Sequence, residues 1–295
     1  MLANNNEAII NKLAKNSVKT NKKQYAILFF TIILSAFMLF CVFTIGMTYL
    51  NSSRLQNTRL NGAEYDIVTM NGFTSEQLNT LQQNENIRSV GIESYAGFIQ
   101  STEYDKTVEI GLLWCDEVFW DNLMSPARTK LDGHYPQNKN ELMVTKDILK
   151  TCGNENLSVG DSLILTYENN TGVYTDEFVI SGIWDGYGDT SAGFVSKAFY
   201  DETGYDLKNN GILCIKLNCN YVFPTTIQSI EKSLDFSDRQ IFAPTGYIEN
   251  SFKLLLGICG LALVICLSAY LLIYNILYLS VSGKIRYYGL LQSLG

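Results

Sequence analysis

The sequence predicts a membrane protein in which two transmembrane helices flank an extracellular α+β domain, a mixed α/β body carrying a smaller β-rich subdomain. Three observations predict it: two long uncharged apolar runs toward the ends of the 295-residue chain, basic charge gathered on the short segments outside them, and alternating strand and helix patterns between them.

The first run, residues 25–50, reads YAILFFTIILSAFMLFCVFTIGMTYL, and the second, residues 254–282, reads LLLGICGLALVICLSAYLLIYNILYLSVS; neither holds a charged residue. Each exceeds the roughly 20 apolar residues that cross a hydrocarbon core about 30 Å thick. At about 1.5 Å rise per residue both are longer than the core requires, so they tilt or continue beyond the lipid as stalks. A secretory signal competes for the first run, because five lysines precede it. Signal cores are shorter, about 7 to 15 residues, and no small-x-small cleavage site precedes the polar Asn51. The run therefore reads as a retained anchor, and residues 25–50 and 252–282 are assigned as the two spans.

Charge sets the orientation. Residues 1–24 carry Lys12, Lys15, Lys19, Lys22 and Lys23 against Glu7, and residues 283–295 carry Lys284 and Arg286 with no acid. All the acids but Glu7 lie between the runs, and they give the chain its net charge of −7. Short basic flanks stay cytoplasmic. Both termini are thus expected inside a cell membrane and residues 51–251 outside it, although Arg54 and Arg59 just past the first run count mildly against this. Within residues 1–24, Ile9, Ile10, Leu13, Ala14 and Val18 fall near one helical face. This leader is either an amphipathic helix on the inner surface or a solvated segment that only sets topology.

Residues 51–251 are long enough for a sizeable core. They open as strand, helix, strand in EYDIVTM, TSEQLNTLQQN and IRSVGIESYAGFIQS, followed by a strand in TVEIGLLWCD and a short helix around EVFWDNLM. Over about residues 131–184 the pattern becomes short strands, ELMVTKDIL and SVGDSLILTYENNTGVYTDEFVISGIW, with ENNTG as a hairpin connection. A strand GILCIKL, a helix FPTTIQSIEKSLDF opened by proline, and a strand RQIFAP lead back to the membrane. Helix-bearing units thus bracket a β-rich insert.

Catalytic patterns are missing. The chain has no GxxxxGK[ST], HExxH or GxSxG, and its GDTSAG stretch at residues 188–193 reads as a glycine-rich surface loop. The one histidine, His134, sits in a turn-like GHYP, and no CxxC occurs, so neither an enzyme nor a metal or cofactor site is predicted. An acidic outer region offers no surface for nucleic acid. Cys115, Cys152, Cys214 and Cys219 face a compartment in which disulfides form, but irregular spacing beside an ample core favours free buried thiols.

Two segments near the C-terminal end are more informative. Tyr270, Tyr274 and Tyr278 recur every four residues on one face of the second span, with Asn275 alongside. They serve either as glue between helices or as the lining of a substrate path. Gly257, Gly260 and Ala262 permit a close helix approach without forming GxxxG. After the span, SGKIRYYGLLQSLG turns from lipid-like to basic and amphipathic.

This last segment resembles the start of the cytoplasmic coupling helix in the FtsX-like, or MacB-type, family of ABC transporter permeases. That family's R-x-x-G-L-L-x-x-L-G pattern is carried by Arg286, Gly289, Leu290, Leu291, Leu294 and Gly295. NKLAKNSVKTNKKQYAILFFTIILSAF is similar to its basic lead-in and first span. LDGHYPQNKNELMVTKDIL, LSVGDSLIL and FVISGIW resemble its periplasmic-core-type domain through Gly133, Pro136, Asn140, Glu141, Leu142, Val159, Gly160, Asp161, Gly182 and Ile183. The resemblance implies a permease that works as a homodimer or with a partner permease half, beside a separate cytoplasmic ABC ATPase that binds the ATP. It makes residues 284–295, from Lys284 on, the ATPase contact. Family members have at least four spans, so residues 283–295 are expected to be the start of a coupling helix in a fragment, a truncated product or half of a split permease. The competing expectation is a membrane-anchored sensor whose outer domain recognises an extracellular ligand.

Overall fold

The structure, a computed structural model, describes residues 15–16, 19–100, 110–187, 192–282 and 289. Its first helix, α1 (Lys22–Asn61), ends at Gly62, whose φ of +70° is the left-handed turn that glycine adopts without a Cβ penalty. β1 (Ile67–Met70), α2 (Ser75–Gln83) and β2 (Ile87–Ile99) follow. α2 begins with a capping box: Thr74 Oγ1 accepts the Gln77 N–H, and Gln77 Oε1 accepts the Thr74 N–H. Next come β3 (Ile110–Cys115), a π-helical turn (Val118–Leu123), β4 (Arg128–Gly133), β5 (Glu141–Thr145), α3 (Lys146–Thr151), β6 (Ser162–Asn169), β7 (Gly172–Gly186) and β8 (Ala192–Val195). Two short helices, α4 (Lys197–Tyr200) and α5 (Leu207–Asn210), precede β9 (Ile212–Leu217), α6 (Pro224–Lys232) and β10 (Ile241–Pro244), which leads into α7 (Gly246–Ser282).

Contacts divide the chain into two units, Met1–Tyr49 with Leu254–Gly295, and Leu50–Lys253. In the second unit ten strands pair in the order β10–β1–β9–β2–β3–β8–β5–β7–β4, with β6 bridging β2 and β7. Two bodies result. β10, β1, β9 and β2 are antiparallel neighbours, and the units β1–α2–β2 and β9–α6–β10 interleave as a split βαβ arrangement. β2, β3, β8, β5, β7 and β6 form a ring that returns to β2 through Phe98 opposite Glu168 and Ile99 opposite Tyr167. β2 belongs to both bodies. Its pairing with β9 ends at Glu93, its pairing with β3 begins at the same residue, and a bulge between Tyr95 and Gly97 bends it onward.

Each body has its own core. Leu112, Leu142, Val144, Leu163, Phe178, Ile180 and Val195 belong to the core of the ring. α2 and α6 lay Leu81, Ile227 and Ile230 on Ile67, Leu213 and Ile215, covering one face of the split unit. Its other face, with Val68 and Cys214, is packed by Phe119, Trp120 and Leu123 from the π-helical turn. Full burial of one such side chain contributes about 1.5–3 kcal/mol. Cys115 and Cys214 share this last core but sit on strands either side of β2, so two strand spacings of about 4.8 Å hold their Cα atoms beyond the roughly 7 Å a disulfide spans. All seven cysteines are free.

Three expected elements differ. ELMVTKDIL is not one strand: Thr145 Oγ1 accepts the Ile148 N–H and starts α3, so the strand stops at the cap. The helix expected around EVFWDNLM is a single π-helical turn. In GDTSAG, Ala192 and Gly193 open β8 rather than a surface loop, and Gly193 is buried; residues 188–191 lie outside the described residues. β8 is four residues long and central, between β3 and β5, so it has neither the alternation nor the length that marks a strand in sequence.

The first unit contains the apolar stretches of α1 and α7. Large side chains are exposed along both, among them Phe30, Ile45, Leu256 and Val264. The helices meet closely at Gly46, where a Cβ would stand 2.6 Å from Ile258 Cδ1. Gly257 and Gly260, expected at a close approach, face open space. Helices apolar on every side belong in lipid or among other helices.

Glu93, where β2 changes partners, gives the fold a pH dependence. Burial pushes its carboxyl from the usual 4.5 up to about 7, and its charge bears on Tyr65, Cys115 and Cys214. A raised carboxyl binds its proton more tightly folded than unfolded, so stability falls as pH rises from about 4.5 to about 7 and stays lower above that. Trp114, Trp120 and Trp184, the chain's three tryptophans, are all buried in the second unit and report its unfolding alone. In urea titrations followed by their fluorescence, Glu93→Gln should match wild type at pH 5 within about 1 kcal/mol and exceed it at pH 8 by about 3 kcal/mol. Equal stabilities at pH 8 would refute a desolvated Glu93.

Candidate functional site

Both long helices enter the Leu50–Lys253 unit at neighbouring strands. α1 feeds β1 through residues 62–66, β10 feeds α7 through Thr245, and β1 pairs with β10 with Ile67 opposite Pro244. The polar residues at this junction converge on one another. Lys216 Nζ, from the neighbouring β9, lies 3.2 Å from Glu64 Oε1 and 3.2 Å from Asp66 Oδ2. Asp66 Oδ2 also accepts the Leu217 N–H at 2.9 Å. Through its backbone, Asp66 donates to the Ile215 carbonyl at 2.8 Å and accepts the Thr245 N–H at 2.8 Å. One residue therefore ties the exit from α1, the middle of the sheet and the entry to α7.

The flanking turns are fixed as well. Thr245 Oγ1 accepts the Ile248 N–H at 3.4 Å, and Tyr247, Ile248 and Ser251 are buried, so α7 begins locked into the core. On α1, Leu50 and Thr58 are buried, and beyond its end the Glu64 N–H donates to the Leu123 carbonyl at 2.6 Å. The Arg59 guanidinium stands 4.1 Å from the Tyr187 ring centre, a cation–π contact worth about 0.5–1 kcal/mol at an exposed site.

Asp66 is 1 % and Lys216 5 % exposed. Burial pushes the Asp66 carboxyl above its ordinary range even though Lys216 and the Leu217 N–H pull it down. Desolvation wins that contest. The cluster is consequently a poor source of stability compared with apolar packing, yet costly to break from one side.

The residues singled out in sequence are brought together in part. Tyr270, Tyr274 and Tyr278 stack along α7 with successive ring centres 6.2 Å apart, and all three rings are exposed. Asn275 is exposed beside them, with no hydrogen-bond partner for its side chain among the described residues. Gly289 is helical and exposed; Lys284, Arg286, Leu290, Leu291, Leu294 and Gly295 lie outside the described residues, as does the leader through residue 14. The Glu64–Asp66–Lys216 cluster went unread in sequence. Its signal is Lys216 itself, a charge inside the apolar strand ILCIKL that must find a partner when buried.

No family model matches the chain, and no curated protein matches it. Solved structures do. The periplasmic region of MacB from Actinobacillus actinomycetemcomitans is similar at 13 % identity and TM-score 0.43, covering 65 % of this chain and 95 % of that one. A domain described as belonging to a permease from Porphyromonas gingivalis is similar at 9 % identity and TM-score 0.38, covering 62 % and 89 %. The extracellular domain of the ABC-type transporter YknZ from Gram-positive bacteria is similar at 13 % identity and TM-score 0.35, covering 56 % and 87 %.

Breaking the root cluster from one side tests it. Lys216→Met leaves the buried Asp66 carboxylate and the partly exposed Glu64 without their ammonium and should destabilise the second unit by about 3–5 kcal/mol in urea titrations of the full chain. Adding Glu64→Gln and Asp66→Asn should recover most of the loss. A single variant as stable as wild type would remove the cluster from the account.

Proposed function

We propose that the chain is the N-terminal part of a permease subunit of an ABC transporter of the FtsX/MacB type, coupling ATP hydrolysis by a separate ATPase to movement of the extracellular domain for export or mechanotransmission. The observation that carries this reading is the pair of helix roots. α1 is one helix of 40 residues and α7 one of 37, and each is built at its outer end into adjacent strands of one sheet. Only residues 62–66 and Thr245 intervene, and Asp66 pins both connections. A displacement of either helix therefore reaches β1 or β10 with no slack loop to absorb it.

The flanking segments support the same mechanism. The basic, amphipathic residues 284–295 stand just past the second span, where an ATPase on the cytoplasmic side would engage them. The chain has no P-loop, so ATP binding falls to that partner. Within the bilayer, the tyrosine face and Asn275 call for a protein neighbour, because an amide without a partner in hydrocarbon costs several kcal/mol. A second copy or a partner permease half supplies it.

Copurification tests the coupling. Drawn from its native membrane in mild detergent, the chain should bring down a P-loop ATPase identified by mass spectrometry. Arg286→Glu should cut that yield about tenfold, a loss of about 1.4 kcal/mol, without altering the tryptophan melt of the second unit. Recovery of no ATPase, or a yield indifferent to Arg286→Glu, would overturn the reading.

A further inference from the structure

The helix roots stand at one end of the split βαβ sheet. Ile67 and Pro244 close that end, and β9 finishes there too, because Ile215 pairs with Ile67 while Leu217 runs on to meet Ile87 at the start of β2. Residues 84–86 and 218–223 therefore gather beside the roots. The Asn218 N–H donates to the Asn86 carbonyl at 2.9 Å and ties these two turns together.

The segment that follows β9 is the apolar one of the pair. From residue 217 to residue 230 the chain reads LNCNYVFPTTIQSI and carries no charge. Val222 is buried in one core with Ile227 and Tyr247, and Pro224 opens α6 with its φ fixed by the ring, so the residue between them is held from both sides. That residue is Phe223, and it is 60 % exposed.

A single exposed phenylalanine needs no explanation by itself. This one has a telling neighbour, since its ring packs on Phe252 with ring centres 4.4 Å apart. Phe252 lies in the first two turns of α7, two residues before the apolar run of residues 254–282 begins. At about 1.5 Å rise per residue, only about 3 Å of helix axis separates Phe252 from the first position of that run. The polar layer on each side of the hydrocarbon core is about 5–7 Å deep. A ring resting on Phe252 falls within that layer, where aromatic side chains are favoured. Tyr221, half-buried two residues earlier, adds a ring with a polar tip to the same segment.

We propose that residues 221–223 are a lipid contact of the outer unit, with the Phe223 ring seated between the phospholipid headgroups and the upper acyl carbons of the leaflet that faces this unit. The contact rests on α7 crossing the bilayer and not on an ATPase partner. Without a charge in the segment, it takes zwitterionic and anionic phospholipid alike. It grips the end of β9, the strand whose Lys216 joins Glu64 and Asp66, so the bilayer surface bears on the same strand as the root cluster.

The test uses the full chain in lipid nanodiscs and reads the fluorescence that Phe223→Trp adds to the wild-type background of three buried tryptophans. Asp238→Trp, exposed just before β10 at the far end of the sheet, is the control. Both variants should keep the wild-type circular-dichroism melt, since each replaces an exposed side chain. In discs of phosphatidylcholine brominated on its upper acyl carbons, the emission added by Phe223→Trp should be largely lost, with the same loss when phosphatidylglycerol is mixed in. Aqueous iodide should barely touch it. The emission added by Asp238→Trp should show the reverse, quenched by iodide and indifferent to bromine. Full emission from Phe223→Trp in brominated discs would overturn the proposal: with iodide quenching it would place the ring in water, and without it beneath a protein partner. Equal bromine quenching of both variants would overturn it as well, because the contact would then not be particular to this end of the sheet. Arg286→Glu should leave the bromine quenching intact, so a failed ATPase partnership and a failed lipid contact are told apart.

Discussion

The buried contact of Lys216 with Glu64 and Asp66 is the constraint on which the rest of the outer unit depends. β1 is only four residues long, and it is buried on both faces: Ile67 packs toward α2 and α6, Val68 toward the π-helical turn. A slip of one residue would exchange those faces and drive each side chain into the wrong core. Hydrophobicity alone barely resists the slip, because Ile and Val are acceptable on either side. A carboxylate that must reach one particular ammonium resists it strongly. The cluster thus acts on register more than on stability, and that register decides where α1 ends and where α7 begins.

A second constraint follows from β2. Because this strand finishes the split unit and starts the ring, the two cores cannot separate without breaking a continuous backbone ladder. The change of partners falls at Glu93, and the bulge beside it supplies the bend. The carboxyl is thus desolvated where the two bodies join. The ring closes through a two-residue seam between β2 and β6, far fewer pairs than join β6 to β7.

How much of this was legible in the sequence depended on the range of the interaction. The two apolar runs, the helical pattern of TSEQLNTLQQN and the hairpin at ENNTG are local signals, and the helices and strands they announce are present. The strand–helix–strand brackets around a β insert were also readable, because each bracket is a short stretch with its own period. Ring closure was not. It requires Ile99 to find Tyr167 and Leu112 to find Gly193, and no local pattern encodes those pairings. The tyrosine face of α7 follows from a spacing of four, and its rings stack and stand exposed. Lys216 was visible as an anomaly in an apolar strand, whereas its partner Asp66 lies 150 positions away. The amides Gln77 and Gln240 read as ordinary surface residues, though they exchange a pair of hydrogen bonds.

The roots also restrict what kind of motion the outer unit can receive. α1 and α7 continue into antiparallel neighbours, β1 and β10, paired over four positions from Ile67 opposite Pro244 to Met70 opposite Ile241. Sliding one helix lengthwise past the other would shear that short ladder. It would also pull Thr245 from the Asp66 carbonyl, leaving buried backbone groups unpaired at about 1–3 kcal/mol each. A tilt shared by both helices disturbs none of these bonds, because the sheet, the anchor and the first turns of α7 move together. Relative displacement of β1 and β10 is accordingly the costly motion, and the strands of the split unit hold together as one body, joined to the ring through β2.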